Sequence, residues 1–349
     1  MTTAPLIEVE DLNVHFPITA RGLIRRTTGL VRAVDGVTFT IHQGETLGLV
    51  GESGSGKTTA GRAILKAVPL SSGEIRFHRP DGIVDLVALG GERLRRFRRH
   101  MQLIFQDPYA SLNPRMTVRD IIAEPLEVNN PGLSKEEIND RVRETAALCR
   151  LNLEHLRRFP HAFSGGQRQR ICIARALVSR PDFVVCDESV SALDVSIQAD
   201  IINLLMDLQQ QLGLTYLFIA HDLSVVAQIS TRVAVMYVGR LVELAPTRSL
   251  FARPMHPYTR ALMSAVPSID PDKGFDPEEL AGEIPNPANP PPGCRFNTRC
   301  PFAQERCRSD PPEWREIAPG HLVACHFAEE LATDPRPTNF PDSISEARP

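Results

Sequence analysis

Gly51-Glu-Ser-Gly-Ser-Gly-Lys-Thr58 puts three glycines, a lysine and three hydroxyls within eight residues. Glycines let a backbone curl until several N–H groups face one anion, and a helix start adds a favourable dipole. In such a loop Gly51, Ser53, Gly54, Ser55 and Gly56 would line the phosphates of a nucleoside triphosphate, ATP being the usual one. Lys57 would neutralise the β- and γ-phosphates, and Thr58, with Thr59 beside it, would bring a hydroxyl to Mg²⁺. A second group lies at Phe183-Val-Val-Cys-Asp-Glu188, an apolar run ending in two carboxylates. Asp187 would hold Mg²⁺, usually through water, and Glu188 would orient and deprotonate an attacking water. Alone this pair is a weak signal, because many strands end in acidic residues; the loop upstream gives it meaning.

Two further groups carry chemistry. Phe163-Ser-Gly-Gly-Gln-Arg-Gln-Arg170 precedes the apolar run Ile171 to Val178, which is expected to be helical. Ser164 can cap that helix, while Gly165 and Gly166 leave backbone N–H groups open to an anion and Gln167 follows them. The chain therefore has two anion-binding helix starts and one phosphate loop. Near the C-terminus Cys294, Cys300, Cys307 and Cys325 follow the spacing C-x5-C-x6-C-x17-C. That differs from the paired C-x-x-C knuckles of common zinc ribbons. Four thiolates suit tetrahedral zinc or a [4Fe–4S] cluster, with metal-free thiols as the third reading, and in a reducing compartment they more often bind metal than pair as disulfides. Arg295, Arg299, Arg306 and Arg308 lie among them and could offset the negative charge of either centre. Cys149, Cys172 and Cys186, scattered among apolar residues, read as small buried side chains.

The elements that must position these residues follow from periodicity. Thr46 to Val50, Met101 to Phe105, Phe183 to Cys186 and Tyr216 to Ala220 read as short buried strands, and Thr58 to Val68 as the helix after the phosphate loop. Residues from about 107 to 165 turn helical and charged, for example Lys135 to Leu151, and look like an insertion within an α/β core. Ile197, Ile201, Leu204, Leu205 and Leu208 fall at helical spacing, with Gly213 as the stop. The expected division is an α/β unit over residues 1–265, a cysteine-containing extension over 266–330 and a disordered tail over 331–349. The proline run Pro285, Pro287 and Pro290 to Pro292 leads stiffly into the cysteines. No internal repeat is visible, so one chain carries one copy of the machinery.

Composition narrows the class. The 349 residues are 42% hydrophobic and 23% charged, near ordinary globular values, with a formal net charge of −3. That balance gives no overall reason to expect nucleic-acid binding. No apolar run approaches the roughly 18 residues of a membrane span, and the first residues lack a signal-peptide pattern. The expected location is the cytosol, with membrane association only through a partner. The arginine-rich stretches 21–26 and 93–99 read first as solvated faces.

These motifs together resemble the nucleotide-binding subunits of ABC transporters, over about residues 5 to 325. Gly51 to Thr58, Gln106, Ser164-Gly-Gly-Gln167, Asp187-Glu188, Ser191-Ala-Leu-Asp194 and His221 stand in that family's order. The resemblance implies a P-loop NTPase (RecA-like) core with an inserted helical subdomain. It also implies a head-to-tail ATPase pair in which each ATP lies between one subunit's phosphate loop and the other's signature helix. Gln106 would then sense Mg²⁺ and the attacking water, His221 would contact the γ-phosphate, Asp194 would lie at the shared face and Phe16 would stack on adenine. Phe105 to Arg115, His256 to Arg260, Gly282-Glu-Ile-Pro285 and Cys294 to Pro301 are similar to the ATPases of dipeptide, oligopeptide and nickel importers. Some members of that subfamily carry an iron–sulfur cluster in the cysteine tail. Ser189 stands where relatives commonly have proline. The implied partners are a second ATPase subunit, making a heterodimer, two transmembrane permease subunits and an extracytoplasmic substrate-binding protein. The implied place is the cytoplasmic face of the membrane, with a coupling groove around Gln106 to Met116. A nickel cargo, a soluble non-transport ABC ATPase and a non-catalytic metal-binding regulator are the competing readings.

Overall fold

The computed structural model describes residues 4–19, 27–130, 132–265, 280 and 282–333. In chain order the first strands are β1 (Pro5–Thr19), β2 (Thr27–His42), β3 (Thr46–Val50), β4 (Ser72–Arg79), β5 (Gly82–Asp85) and β6 (Met101–Ile104). They are followed by β7 (Phe183–Asp187), β8 (Thr215–Ile219), β9 (Arg232–Tyr237), β10 (Arg240–Pro246), β11 (Arg315–Ala318) and β12 (His321–Val323). The helices used below are α1 (Lys57–Ile64), α2 (Gly91–Phe97), α3 (Pro108–Ser111), α4 (Val118–Asn129) and α5 (Lys135–Leu148). After them come α6 (Gly165–Leu177), α7 (Val195–Leu212), α8 (Leu223–Ile229), α9 (Thr247–Ala252) and α10 (Pro257–Ser264).

The long, alternating β1 and β2 pair antiparallel and with β4 and β5 form a four-stranded sheet in the order β2-β1-β4-β5. The short apolar runs form the second sheet, β11-β12-β10-β9-β3-β8-β7-β6. Its strands are parallel from β9 to β6, and every residue of β3, β7 and β8 is buried, as expected for strands covered on both faces. Alternation within them feeds two cores. Phe183, Val185, Leu217 and Ile219 pack with α1 and the antiparallel sheet, while Val184, Cys186, Tyr216 and Phe218 pack with the helical side. The segment between β6 and β7 carries α3 to α6, with Ile121, Ile122 and Leu126 of α4 buried alongside Val142 and Ala146 of α5. Cys149, Cys172 and Cys186 are buried, as their surroundings foretold.

Three element boundaries depart from the sequence reading. Helix α1 stops at Ile64, not Val68, because Lys66 adopts a left-handed backbone (φ 50°) and anchors its ammonium on the Val87 and Leu89 carbonyls. Helix α5 stops at Leu148, with Arg150 at φ 56°. Helix α6 starts at Gly165, so the signature glycines form its first turn and do not precede it as a loop. Residues 280 and 282–333 do not stand apart from the core: β12 pairs with β10 through Glu243↔Val323 and Leu244↔Leu322 and extends the main sheet. The arginine stretch 21–26, part of the stretch between α10 and the cysteines, and residues 334–349 lie outside the described residues.

Candidate active site

Parallel strands end together, and the chemistry collects at their carboxyl ends. Gly51 to Gly56 follow β3, Gln106 follows β6, Glu188 follows β7 and His221 follows β8. This is the edge at which open α/β sheets bind ligands. The phosphate loop needs its glycines: Gly51 lies at φ 149° and Gly56 at φ 105°. A methyl group on either would meet a backbone oxygen, Met236 O at 2.1 Å or Ala33 O at 2.0 Å.

Lys57, 4% exposed, folds back over its own loop and donates to the carbonyls of Gly51 (2.7 Å) and Glu52 (3.0 Å) and weakly to Ser55 Oγ (3.5 Å). Burial lowers its pKa, opposed by the carboxylates of Glu188, Asp187 and Glu52. Thr58 Oγ1 donates to Asp187 Oδ1 at 2.7 Å, so the two oxygens expected at Mg²⁺ are already neighbours. A hydroxyl beside a carboxylate suits a hard divalent cation that keeps several waters. Arg62, which sequence reasoning passed over, donates to the other oxygen of Asp187 at 3.2 Å. Only its spacing of one turn from Thr58 on α1 hinted at this.

Gln106 Nε2 donates to Glu188 Oε2 at 2.8 Å, and His221 Nδ1 stands 3.7 Å from the same oxygen. Glu188 itself lies at φ 47°, its N–H held by Ile219 O (3.0 Å) and its carbonyl by Ser191 Oγ (2.9 Å). Those bonds from β8 and the following turn fix the strained backbone that aims the carboxylate. Ser189, where proline is usual in the resembled family, is buried, and both carboxylates keep their partners. The structure thus brings Lys57, Thr58, Gln106, Asp187, Glu188 and His221 to one place.

Ser164 caps α6 through a reciprocal capping box with Gln167 (3.1 and 3.4 Å). Gly166 is buried against Ile197 of α7, whereas a Cβ on Gly165 would make only ordinary contacts, with Leu193 Cδ2 at 3.6 Å and Tyr109 Oη at 3.9 Å. Among the described residues no hydrogen bond joins this signature to the phosphate loop of the same chain. Asp194 takes the N-cap position of α7 without a side-chain capping bond. Phe16 is 38% exposed on β1 and pairs with Val31 of β2, two residues from Ala33, whose carbonyl backs Gly56.

The C-terminal cysteines come together only in part. Cys294, Cys300, Cys307 and Cys325 all line one apolar cavity of about 20 Å³ with Phe296, Phe302 and Phe327. Yet among the described residues no three His, Cys, Asp or Glu side chains stand at distances that would hold a metal ion. Burial pushes the Cys300 thiol up to about 11 and the Cys325 thiol up to about 12, and raises that of Cys294. The four thiols expected to hold zinc or an iron–sulfur cluster therefore share one cavity without three of them standing at ion-holding distances. Two of the arginines expected to offset its charge are committed elsewhere: Arg295 pairs with Asp35, and Arg299 with Glu52 at 2.8 Å.

A groove of about 620 Å³ opens between the core and the helical segment, lined by Arg95, Met101, Phe105, Glu124, Val128 and Arg175 among others. Of residues 106–116, where a groove was expected, only Ser111 lines it.

The ABC transporter family pattern matches residues 34–191, and the pattern described as "Oligopeptide/dipeptide transporter, C-terminal region" matches residues 242–307. The oligopeptide transport ATP-binding protein AppF of Bacillus subtilis is 50% identical over 326 residues, 92% of this chain and 97% of that one. A Brucella ovis protein named for peptide import ATP binding is 51% identical over 325 residues, 93% of this chain and 98% of its own. Among solved structures, the dimeric bacterial ABC transporter cassette MJ0796 aligns with TM-score 0.60 and 27% identity over 70% of this chain and 99% of that one. With two relatives at half identity along nearly their whole lengths, and with the phosphate loop, acidic strand end and signature helix in one fold, the chain belongs to the ABC transporter family, as an ATP-binding subunit of its oligopeptide/dipeptide branch.

Proposed function

We propose that this chain is the ATP-hydrolysing subunit of a peptide importer, and that it works as half of a head-to-tail ATPase pair. The observation that carries the reading is the single constellation Thr58–Asp187 (2.7 Å) and Gln106–Glu188 (2.8 Å) at the strand ends. Lys57 would leave its loop carbonyls for the β/γ-phosphates, since an incoming triphosphate offers a buried ammonium a better partner. Glu188, held by Gln106, would take a proton from the attacking water while His221 steadies the γ-phosphate. Bound Mg²⁺ would neutralise charge on the transferring oxygens. Phe16, exposed on β1, would stack on adenine.

Among the described residues Ser164 and Gly166 make no hydrogen bond to the phosphate loop of their own chain, and a solved relative is a dimer with ADP and phosphate. A second ATPase subunit would lend its signature to this chain's loop and receive this chain's in return. The 620 Å³ groove, with Phe105 and Val128 exposed between Arg95 and Glu124, would receive a helix of a permease subunit. No described helix is long and apolar enough to cross a membrane, so closure of the pair would have to drive separate permeases at the cytoplasmic face. An extracytoplasmic binding protein would deliver the cargo. Peptide is favoured over nickel because the relatives carry peptide names. The four cysteines are the donor set for an iron–sulfur cluster, or for zinc, if their thiols deprotonate and converge on the shared cavity.

Anaerobic isolation of the intact complex tests these points together. The expected result is a brown preparation that hydrolyses ATP and contains two hydrophobic subunits and a different ATPase chain. Recovery of an active ATPase with no hydrophobic partner would overturn the importer reading, and a colourless, zinc-free complex would overturn the metal reading.

A further inference from the structure

Glu52 is the one acidic residue inside the phosphate loop, and every polar part of it is tied down. Its N–H donates to Tyr258 Oη at 2.8 Å. Its carbonyl accepts from Lys57 Nζ at 3.0 Å and from Ser55 N at 3.1 Å. Its carboxylate is gripped by both terminal nitrogens of Arg299, at 2.8 and 3.3 Å, from 247 residues further along the chain. Arg299 is 9% exposed, and its Nη1 lies 3.4 Å from Tyr237 Oη. Tyr237, Tyr258 and the fully buried Phe296 pack ring against ring behind it, at 4.5 to 5.4 Å between centroids. The arginine precedes Cys300, so the cysteine-bearing segment reaches directly into the nucleotide site.

A carboxylate in a loop built to hold a triphosphate is electrostatically adverse. Glu52 is near enough to act on the Lys57 ammonium, and it would act with opposite sign on incoming phosphates. A fork-on-fork arginine both cancels that charge and fixes its direction.

We infer that Arg299 is a positioning residue for ATP binding: it neutralises Glu52 and, with Tyr258, holds the phosphate loop open, so that the C-terminal extension completes the nucleotide site of its own chain. This rests on the reading of Gly51 to Thr58 as the ATP site.

The test is Mg-ATP binding to the full chain by calorimetry. Arg299→Ala should weaken binding about tenfold, the effect of one uncompensated charge close to the phosphates. Adding Glu52→Gln to the same chain should restore most of that loss, because the offending charge is then gone. Arg299→Lys, which keeps the charge but loses the fork, should fall between, and it replaces Arg299→Ala in the comparison should the alanine variant not fold. Arg315→Ala, which breaks the Arg315–Glu329 pair elsewhere in the extension, should bind like the parent. Binding by Arg299→Ala within about twofold of the parent overturns the inference. So does a loss that Glu52→Gln fails to rescue, or an equal loss in Arg315→Ala. Lys57→Ala separates the two levels: if it binds ATP as well as the parent, the site reading itself fails, whereas a large loss there beside an unchanged Arg299→Ala sinks the inference alone.

Discussion

Gly56 and Gly54 are two residues apart in the same loop, and the structure predicts very different consequences for replacing them with alanine. At Gly54 (φ 79°) a methyl group would meet nothing within 4 Å, so Gly54→Ala carries only the cost of a left-handed L-residue, about 1–2 kcal/mol. At Gly56 (φ 105°) the methyl would stand 2.0 Å from the carbonyl oxygen of Ala33 and 2.9 Å from Met236 Cε. Ala33 belongs to β2, where it is the unpaired residue at a register shift between the pairs Arg32↔His15 and Val34↔Val14, so its carbonyl is held only through its paired neighbours and must move to admit the methyl. Backbone strain of about 1–3 kcal/mol then adds to overpacking of about 1–3 kcal/mol, for a total near 4. At the usual entropy of unfolding per residue, a chain of this size should lose about 6 °C in melting temperature for Gly56→Ala and about 2 °C for Gly54→Ala. Circular dichroism melts of both variants without nucleotide provide the measurement. Equal losses, or a Gly56→Ala melt within about 1 °C of the parent, would refute the argument that this loop is seated against β2 and not merely curled.

Two other outcomes follow from the site and the fold. Glu188→Gln keeps the shape of the side chain that Gln106 holds and removes its basicity, so steady-state hydrolysis should fall about 10²- to 10⁴-fold while ATP affinity stays near that of the parent; full turnover would remove Glu188 from the base role. His256 is fully buried, its Nδ1 accepts from Tyr258 N–H at 3.1 Å, and burial holds its pKa down from 6.5 to about 4 against the pull of Glu243. Below pH 6.5 the unfolded chain takes up a proton that the folded chain refuses until about pH 4. Stability is thus full above 6.5 and declines as the pH falls through that window, by up to about 3 kcal/mol. Urea unfolding at pH 7, 5.5 and 4.5 should show this loss in the parent and a flatter profile in His256→Asn, and identical slopes would exclude His256 as the source.

What the sequence determined by itself was local. The phosphate loop was legible because its glycines sit where the backbone must turn left-handed or approach a neighbouring carbonyl, conditions that side-chain type alone imposes at Gly51 and Gly56. The buried strands were legible because a run such as Phe183 to Cys186 has no polar face to offer water. Ser164 announced a helix cap by its residue type, although the apolar pattern placed the helix start six residues late and the reciprocal bond from Gln167 emerged only in the fold. The tertiary structure decided everything that depends on two distant segments meeting. It chose which residues would neutralise Glu52 and Asp35, since Arg299 and Arg295 carry no mark at the level of sequence that separates them from Arg306 or Arg308. It left the cysteines lining one cavity but short of an ion-holding arrangement. It also opened a groove of about 620 Å³ at the seam beside α2 and α4, lined by residues such as Glu124 and Val128 that no motif had singled out. Spacing along a chain fixes which groups can share a turn of helix or strand, whereas the partner of a buried charge is set by how sheets and helices stack. That stacking depends on the whole burial pattern at once.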